Sequence, residues 1–256
     1  MNLATFVTMN GIDISLSYRE GPTRAWYIDG VQRNPVQLGD WIGSVEAGGS
    51  VNFIDIALNP HAHGTHTETL GHICSGEHPV NRLQWPLLIP ATLLSPEIID
   101  NEVSWKAIEA AAHAAALDPQ ASWDRAIVLR TRPAGSDPET NRSEENWAYL
   151  TAEAAAELAA RGVTELMIDQ ASVDPREDGG ALAAHRAFWG LAPGVTEAPA
   201  DARHEATITE LIHVPQAVAD GRYALNLQVA NLSNDAAPSR PILYPRDGMV
   251  LASQGA

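Results

Sequence analysis

The strongest constraint on the fold is a helix-then-strand pattern that occurs twice in the middle of the chain. An alanine-rich segment, residues 105–117, precedes the short apolar run 126–130. A second helix is predicted to begin after Thr151, a favourable N-cap, and to end at Gly162, before the apolar run 164–169. Helices that alternate with strands are typical of α/β domains. We therefore predict an α/β fold for this half of the chain.

Further segments extend this prediction towards both ends of the chain. Strand-like alternation of apolar and polar side chains is found in four of them: residues 11–18, 51–58, 207–214 and 223–229. A short helix is predicted over residues 182–189, and surface loops over 133–146 and 191–203. Since no stretch is long enough to be a linker, one domain is predicted over residues 1–256.

The charge balance excludes several classes of partner. The chain has 16 Lys and Arg against 32 Asp and Glu, a formal net charge of −16, and its basic residues do not cluster. Nucleic-acid binding and attachment to an anionic membrane both need a basic surface. We therefore expect neither, and expect a small-molecule substrate instead.

Cysteine content and hydropathy limit the compartment and the kind of metal site. Cys74 is the single cysteine, so an intrachain disulfide or a zinc site built on several thiolates is excluded. The N-terminus lacks the basic-then-apolar pattern of a signal peptide. The uncharged stretch 83–96 is too short for a membrane span and contains three prolines. These features predict a cytoplasmic protein without a membrane span.

A cluster of histidines is the main functional signal. Five of the nine histidines lie within eighteen residues: His61, His63, His66, His72 and His78. Imidazole and carboxylate are common ligands of Zn, Mn and Fe. His66, Glu68 and His72 are separated by even numbers of residues, so they would point to one side of an extended segment. The sequence therefore predicts a divalent-cation site. Four histidines are assigned structural roles: His78, His113, His204 and His213.

The same segment resembles a known family. Gly-Thr-His-Thr-Glu at residues 64–68, followed by His72, resembles the signature His-x-Gly-Thr-His-x-Asp-x-x-x-His of the cyclase family, the metal-dependent hydrolases that include bacterial kynurenine formamidase and isatin hydrolase. Other similar segments follow in the family's order: residues 13–15, 129–131, 149–151, 168–174 with His185, and 207–210. This resemblance implies a mixed β-sheet or barrel-like core flanked by helices.

The resemblance also implies the members of the site. The implied ligands of one or two Zn or Mn ions are His66, Glu68, His185 and Glu210, together with His61 or His63. A divalent cation lowers the pKa of its water to about 7, which suits hydrolysis of an amide. His72 would take the proton of that water and pass it to the leaving amine.

Two departures from the signature affect the metal site. The family's first histidine corresponds to Ala62, which lies between His61 and His63. Both have the wrong parity for a regular strand, so a bulge over residues 60–64 is predicted to bring one of them in, with His61 favoured. Glu68 replaces the family's Asp, and its longer side chain makes a mononuclear site an alternative to a dinuclear one.

Supporting residues are predicted around this centre. Asp169, Ser172 and Asp174 would orient ligand histidines, the alternative being a turn closed before Pro175. An aromatic at Trp26 is implied to pack on the substrate, the alternative being ordinary packing. Cys74 is interpreted as a small buried apolar side chain rather than a ligand.

The resulting functional prediction is an arylformamidase, which hydrolyses N-formylkynurenine to kynurenine and formate. The alternatives are hydrolysis of another cyclic amide, lactam or ester by a mononuclear site, or binding of a metal or small molecule without turnover. The last alternative rests on Ala62. A homo-oligomer is implied by the family resemblance.

Overall fold

The computed structural model describes residues 10–119 and 123–246. The first nine residues, which carry most of the prediction that no signal peptide is present, lie outside this part of the chain. Its strands are β1 Ile12–Asp13, β2 Gln32–Pro35, β3 Gln37–Leu38, β4 Trp41–Ile42, β5 Ile54–Ala57, β6 His66–Glu68, β7 Ile89–Leu94, β8 Glu102–Val103, β9 Ala126–Leu129, β10 Tyr149–Leu150, β11 Glu165–Ile168, β12 Thr207–Glu210, β13 Gly221–Val229 and β14 Ala236–Pro245. Its helices are α1 Pro60–His63, α2 Trp105–Ala114, α3 Ala152–Ala160 and α4 Ala183–Trp189.

Seven strands close into a barrel. They follow the order β14–β13–β7–β9–β11–β12–β6, and a second pairing of β14 with β6 closes the ring. The four strands from β7 to β12 are parallel to one another, whereas the remaining neighbours pair antiparallel. This mixed barrel, flanked by helices, confirms the predicted fold class.

Alternate residues of the barrel strands belong to two separate apolar cores. Val128 and Met167 pack with Leu225 and other inward-facing residues of the barrel. Ile127 and Leu166 face the opposite way and pack against residues of the helices. This alternation follows from the two-residue period of a strand. It defines an outer face, under the helices, on which the polar cluster described below lies.

The local signals for α3 predict its position well. Thr151 caps the helix by accepting a hydrogen bond from the Ala154 backbone at 3.1 Å. Ala154 and Leu158 are buried towards the outer core. Gly162 follows with a φ of +84°, a conformation that favours glycine. The predicted helix–strand pairs in the middle of the chain are therefore confirmed.

The strand predictions are less accurate at the two ends of the chain. Strand pairing in residues 11–18 covers Ile12–Asp13, with one further bridge from Ser15 to Ile212. Strand β14 was not predicted, because Pro238 and the prolines after it resemble loop residues. Strand β7 was not predicted either, because it contains a proline and lies in the uncharged stretch 83–96. Among the described residues, no helix has the length and apolar character needed to cross a membrane.

Candidate metal centre

The centre begins on two neighbouring barrel strands, β6 and β12. In their antiparallel register His66 lies opposite Glu210. Thr67 and Thr209 face the other way and contact each other through their hydroxyls at 2.8 Å. Since side chains alternate along a strand, His66, Glu68 and Glu210 lie together on the outer face of the barrel. All three are buried.

Helix α4 brings His185 to this face. Its Nε2 lies 2.9 Å from Glu68 Oε1 and 3.6 Å from Glu210 Oε1. Asp174 holds the other ring nitrogen, with Oδ2 at 2.5 Å from Nδ1. Asp174 also accepts a hydrogen bond from the Ala184 backbone at 2.7 Å, so one carboxylate both caps α4 and orients His185.

His61 enters the cluster from the short helix α1. The Asn59 side chain caps this helix by accepting the His61 N–H at 3.0 Å. His61 Nδ1 lies 3.0 Å from Glu68 Oε2, and its Nε2 lies 2.9 Å from Asp235 Oδ2. The predicted bulge at residues 60–64 is wrong, because a capped helical turn replaces the extended chain there.

His63 lies away from the cluster, so the ambiguity between the two flanking histidines is resolved in favour of His61. The Asn59 backbone donates to His63 Nδ1 at 2.9 Å, and His63 Nε2 contacts the Asp29 carbonyl at 2.7 Å. Both ring nitrogens are thereby used by the backbone. Ala62, at the position of the family's histidine, is buried.

His72 reaches the cluster by a different route from the one predicted. It ends a 3-10 helix, Leu70–His72, so the parity argument for an extended segment does not apply to it. His72 Nδ1 lies 3.7 Å from both Glu68 Oε2 and Asp235 Oδ2. Its side chain is 31% exposed, whereas that of Glu68 is fully buried. His72 is therefore the accessible imidazole beside a buried carboxylate.

Asp235 is a member of the cluster that sequence reasoning missed. It directly precedes β14, whose Ala236 pairs with Glu68 on β6. Its carbonyl accepts the Thr69 backbone N–H at 3.0 Å, which fixes the loop beside the 3-10 helix. The sequence carries only a weak signal, an acidic residue before a strand, because the contact depends on pairing between distant strands.

Two atoms of the cluster show that its residues fit a cation. His66 Nδ1 lies 3.1 Å from the Gly64 carbonyl, which can only accept, so Nδ1 carries a proton, and in the neutral imidazole Nε2 carries a lone pair. That Nε2 faces Glu210 Oε2 at 3.5 Å. His66 Nε2 and Glu68 Oε2 are buried and have no hydrogen-bond partner. Buried acceptors that face one another call for a positive charge, and imidazole with carboxylate is the donor set for Zn or Mn.

The possible ligand groups overlap. Among the described residues, three sets have ligand atoms within 4.8 Å of one another: His61, His66 and Glu68; His61, His72 and Asp235; and Glu68, His72 and His185. Glu68, His61 and His72 each belong to two sets. The arrangement therefore has enough donors for one or two ions. Cys74 belongs to none of these sets and packs in the outer core.

The contacts between carboxylates and imidazoles determine the ionisation of the cluster. Burial alone would raise the pKa of Glu68, but the surrounding imidazoles outweigh it and hold the pKa well below its usual value. Burial would lower the pKa of His61, but the nearby carboxylates of Asp235 and Glu68 raise it to about 10. Asp174 and Glu68 likewise raise the pKa of His185, against the effect of burial. The Glu68 carboxylate is therefore ionised and available as a ligand.

Two of the three predicted supporting residues lie elsewhere. Asp169 accepts hydrogen bonds from the Thr131 backbone at 2.9 Å and the Arg132 backbone at 3.0 Å, so its carboxylate joins the ends of β9 and β11. Ser172 accepts the Asp174 N–H at 3.1 Å and stabilises a turn. The prediction that these two side chains orient ligand histidines is corrected, because both are occupied by backbone N–H groups. Asp174 contacts His185 directly.

Trp26 lies near the surface and packs on another aromatic. Its ring is 5.2 Å from that of Trp147 and perpendicular to it, and the residue is 37% exposed. Trp147 Nε1 in turn donates to the Asp174 carbonyl at 2.9 Å. Trp26 is therefore connected, through Trp147 and Asp174, to His185.

The chain is similar to known proteins in sequence and in fold. A family model described as "Putative cyclase" matches residues 12–175. A structure described as a predicted metal-dependent hydrolase from Bacillus stearothermophilus has a TM-score of 0.58 at 16% identity, covering 93% of this chain and 99% of that chain. One described as a potential metal-dependent hydrolase with cyclase activity has a TM-score of 0.59 at 19% identity, covering 93% and 100%. Isatin hydrolase A from Labrenzia aggregata, bound to benzyl benzoate, has a TM-score of 0.60 at 13% identity, covering 92% and 93%. Comparison with curated proteins gives no significant match.

Proposed function

Since the chain belongs to the cyclase family, we propose that it is a metal-dependent hydrolase of a small amide, and that this amide is N-formylkynurenine. The observation that carries the proposal is the pair of buried acceptors, His66 Nε2 and Glu210 Oε2, that face each other at 3.5 Å. Such a pair is stable when a cation lies between or beside its members.

The residues that would hold the cation come from four parts of the chain: His61, His66, Glu68, His185 and Glu210, with Asp235 beside them. A bound Zn or Mn ion supplies Lewis-acid polarisation of a carbonyl and a lower pKa for water. Asp174 keeps His185 in one orientation through its 2.5 Å contact, as carboxylates commonly do for ligand histidines.

His72 suits the proton transfer that amide hydrolysis needs. Water adds to the formyl carbon, the C–N bond breaks, and the nitrogen leaves as an amine with one added proton. His72 takes the proton from water and returns it to the nitrogen, a role for which imidazole is well suited near neutral pH. Its partial exposure, 31%, supports contact with a substrate that arrives from solvent.

The aromatic part of the substrate requires an apolar wall, and Trp26 would provide one. Its indole is partly exposed and supported from behind by Trp147. Aromatic rings pack well on such a surface.

A second candidate is hydrolysis of a cyclic amide or another ester by the same centre. It is favoured by the similarity to structures described as isatin hydrolases. A third candidate is binding without turnover. It is disfavoured by the number of ligand-type residues in the cluster, to which His61, the neighbour of Ala62, adds an imidazole 3.0 Å from Glu68.

One experiment separates these candidates. Metal content is measured on purified protein, and formate release from N-formylkynurenine is followed with and without chelator. Chelator-sensitive formate release supports the proposal. Bound metal with ring opening of isatin, but no formate release, supports the second candidate, whereas bound metal with neither activity supports the third. A protein that never binds metal would contradict both hydrolase candidates.

Compartment and assembly form part of the same proposal. The lone Cys74, buried in the outer core, is compatible with a reducing cytoplasm. Strands β2 and β5 pair antiparallel as a separate ribbon. The exposed apolar side chains of Ile56 on β5 and of Phe53 directly before it support a homo-oligomer.

A further inference from the structure

A cavity of about 510 Å³ lies at the carboxyl ends of β9 and β11. Its walls include Thr131, Arg132, Glu145, Trp147 and Gln170, none of which belongs to the metal cluster. The volume is within the range of about 300–1,000 Å³ that small-molecule sites occupy.

Gln170, a residue of this wall, has a side-chain amide oxygen without a hydrogen-bond partner. Thr131 Oγ1 donates to Asp169 Oδ1 at 2.6 Å, so it must accept from the Gln170 side chain, whose Nε2 lies 2.7 Å away. This network fixes the amide orientation and leaves Gln170 Oε1 as the free oxygen. Gln170 is 3% exposed, and its Oε1 has no partner. A buried carbonyl oxygen without a donor is unfavourable, so an N–H or O–H group from a ligand would satisfy it.

Arg132, another residue of this wall, has a side-chain N–H without a hydrogen-bond partner. Its Nη1 donates to Glu145 Oε2 at 2.8 Å and its Nη2 to the Asp137 carbonyl at 3.2 Å. Its Nε is buried and has no partner. Because Glu145 already balances the charge of the guanidinium, the wall complements a neutral group rather than an anion. A carboxamide carries both the acceptor for Arg132 and the donor for Gln170.

Trp147 adds an apolar surface to the cavity. It is buried, and its Nε1 is already used in the hydrogen bond to the Asp174 carbonyl. Its contribution to the cavity is therefore a planar hydrocarbon surface, which suits an aromatic ring.

We propose that this cavity binds a small neutral molecule in which a carboxamide is attached to an aromatic ring, at a site separate from the metal centre. Arg132 and Gln170 bind the carboxamide, and Trp147 packs against the ring. The occupant touches the same tryptophan that supports Asp174, the partner of His185. The site needs neither a cation nor amide hydrolysis.

Isothermal titration of benzamide into chelator-treated protein tests this site. We expect saturable binding of one benzamide per chain. Gln170→Leu and Arg132→Lys should each weaken it about tenfold, because each removes one buried hydrogen bond. Gln84→Leu, at an exposed position, is the matched control and should leave binding unchanged. Benzoate, which has no N–H to donate and carries a charge, should bind more weakly than benzamide.

A second variant distinguishes this site from the metal centre. His66→Ala should leave benzamide binding unchanged, and the folded state of each variant is checked by circular dichroism. Absence of benzamide binding, equal affinity in a folded Gln170→Leu or Arg132→Lys, or loss of binding in a folded His66→Ala would overturn the proposal. None of these outcomes depends on formamidase activity, so its absence would leave this site intact.

Discussion

His66 Nε2 and Glu210 Oε2 face each other at 3.5 Å across the β6–β12 pair, and with a neutral imidazole both are acceptors. The tautomer of His66 is set by its contact with the Gly64 carbonyl. Without a cation, this arrangement places two electron-rich atoms together inside the protein. The barrel strands hold both side chains in place, so a cation is the simplest group that makes the pair favourable.

Asp235 is predicted to position His61 for metal binding. Its carboxylate accepts from His61 Nε2 at 2.9 Å, which leaves Nδ1 directed at Glu68. Asp235→Ala should lower metal affinity about 10- to 100-fold, as loss of such a partner commonly does. Asp235→Asn retains an acceptor oxygen and should lose less.

Metal titration of these variants checks the role of Asp235. Asp201→Ala, at an exposed position, serves as the control and should bind metal like the wild type. Equal metal affinity in Asp235→Ala and wild type would exclude the positioning role.

His72→Asn is predicted to separate turnover from metal binding. The side chain is 3.7 Å from Glu68 and is the partly exposed imidazole of the cluster. Loss of a general acid–base group should lower kcat about 100- to 10,000-fold. Metal content should stay near the wild-type value, because the buried ligands remain. Steady-state kinetics together with metal analysis check this, and unchanged kcat would show that another group transfers the proton.

His213 is predicted to make folding stability depend on pH. Burial, together with the nearby positive Arg142, lowers its pKa, although Asp169 opposes this. The unfolded chain therefore binds a proton at higher pH than the folded chain does. Stability should fall as pH drops below about 6.5, the value of an unperturbed imidazole.

Urea unfolding at pH 8 and at pH 5.5 measures this effect. His213→Asn should lose less stability than wild type between the two pH values, since the other titrating groups are common to both proteins. An identical loss in both proteins would contradict the assignment.

The β2–β5 ribbon is predicted to form the contact between copies of the chain. Phe53 and Ile56 are 58% and 57% exposed. A two-stranded ribbon with exposed apolar side chains is weakly stable alone and is commonly covered by a partner. Light scattering should show an oligomer for wild type and a monomer for Phe53→Glu/Ile56→Glu. Leu87→Glu, at a position that is 75% exposed and outside the ribbon, should not change the mass. A monomeric wild-type protein would contradict this prediction.

The extent of sequence prediction follows the range of the interactions involved. Helix α3 was predictable because its cap, Thr151, and its stop, Gly162, act locally. Strand β14 was not, since its prolines are tolerated only through pairing with distant strands. Asp235 was missed for the same reason.

The histidine motif illustrates a finer limit. The resemblance identified the cluster, but it could not decide between His61 and His63. That choice depends on the helical turn capped by Asn59, which directs His61 to Glu68 and His63 to the backbone. The helical turn therefore decides which of the two flanking histidines contacts Glu68, and a sequence pattern read as a strand could not.

The most direct test of the account is cation binding by the two facing acceptors. Metal-free wild type, His66→Ala and the control His113→Ala, at an exposed position of α2, are titrated with Zn²⁺ and Mn²⁺ while thermal unfolding is recorded. Wild type and His113→Ala should bind the ion and gain stability, about 2.7 kcal/mol at a metal concentration 100 times the Kd. His66→Ala should lose most of this gain. Equal binding and stabilisation in all three proteins, or no binding in wild type, would contradict the metal centre.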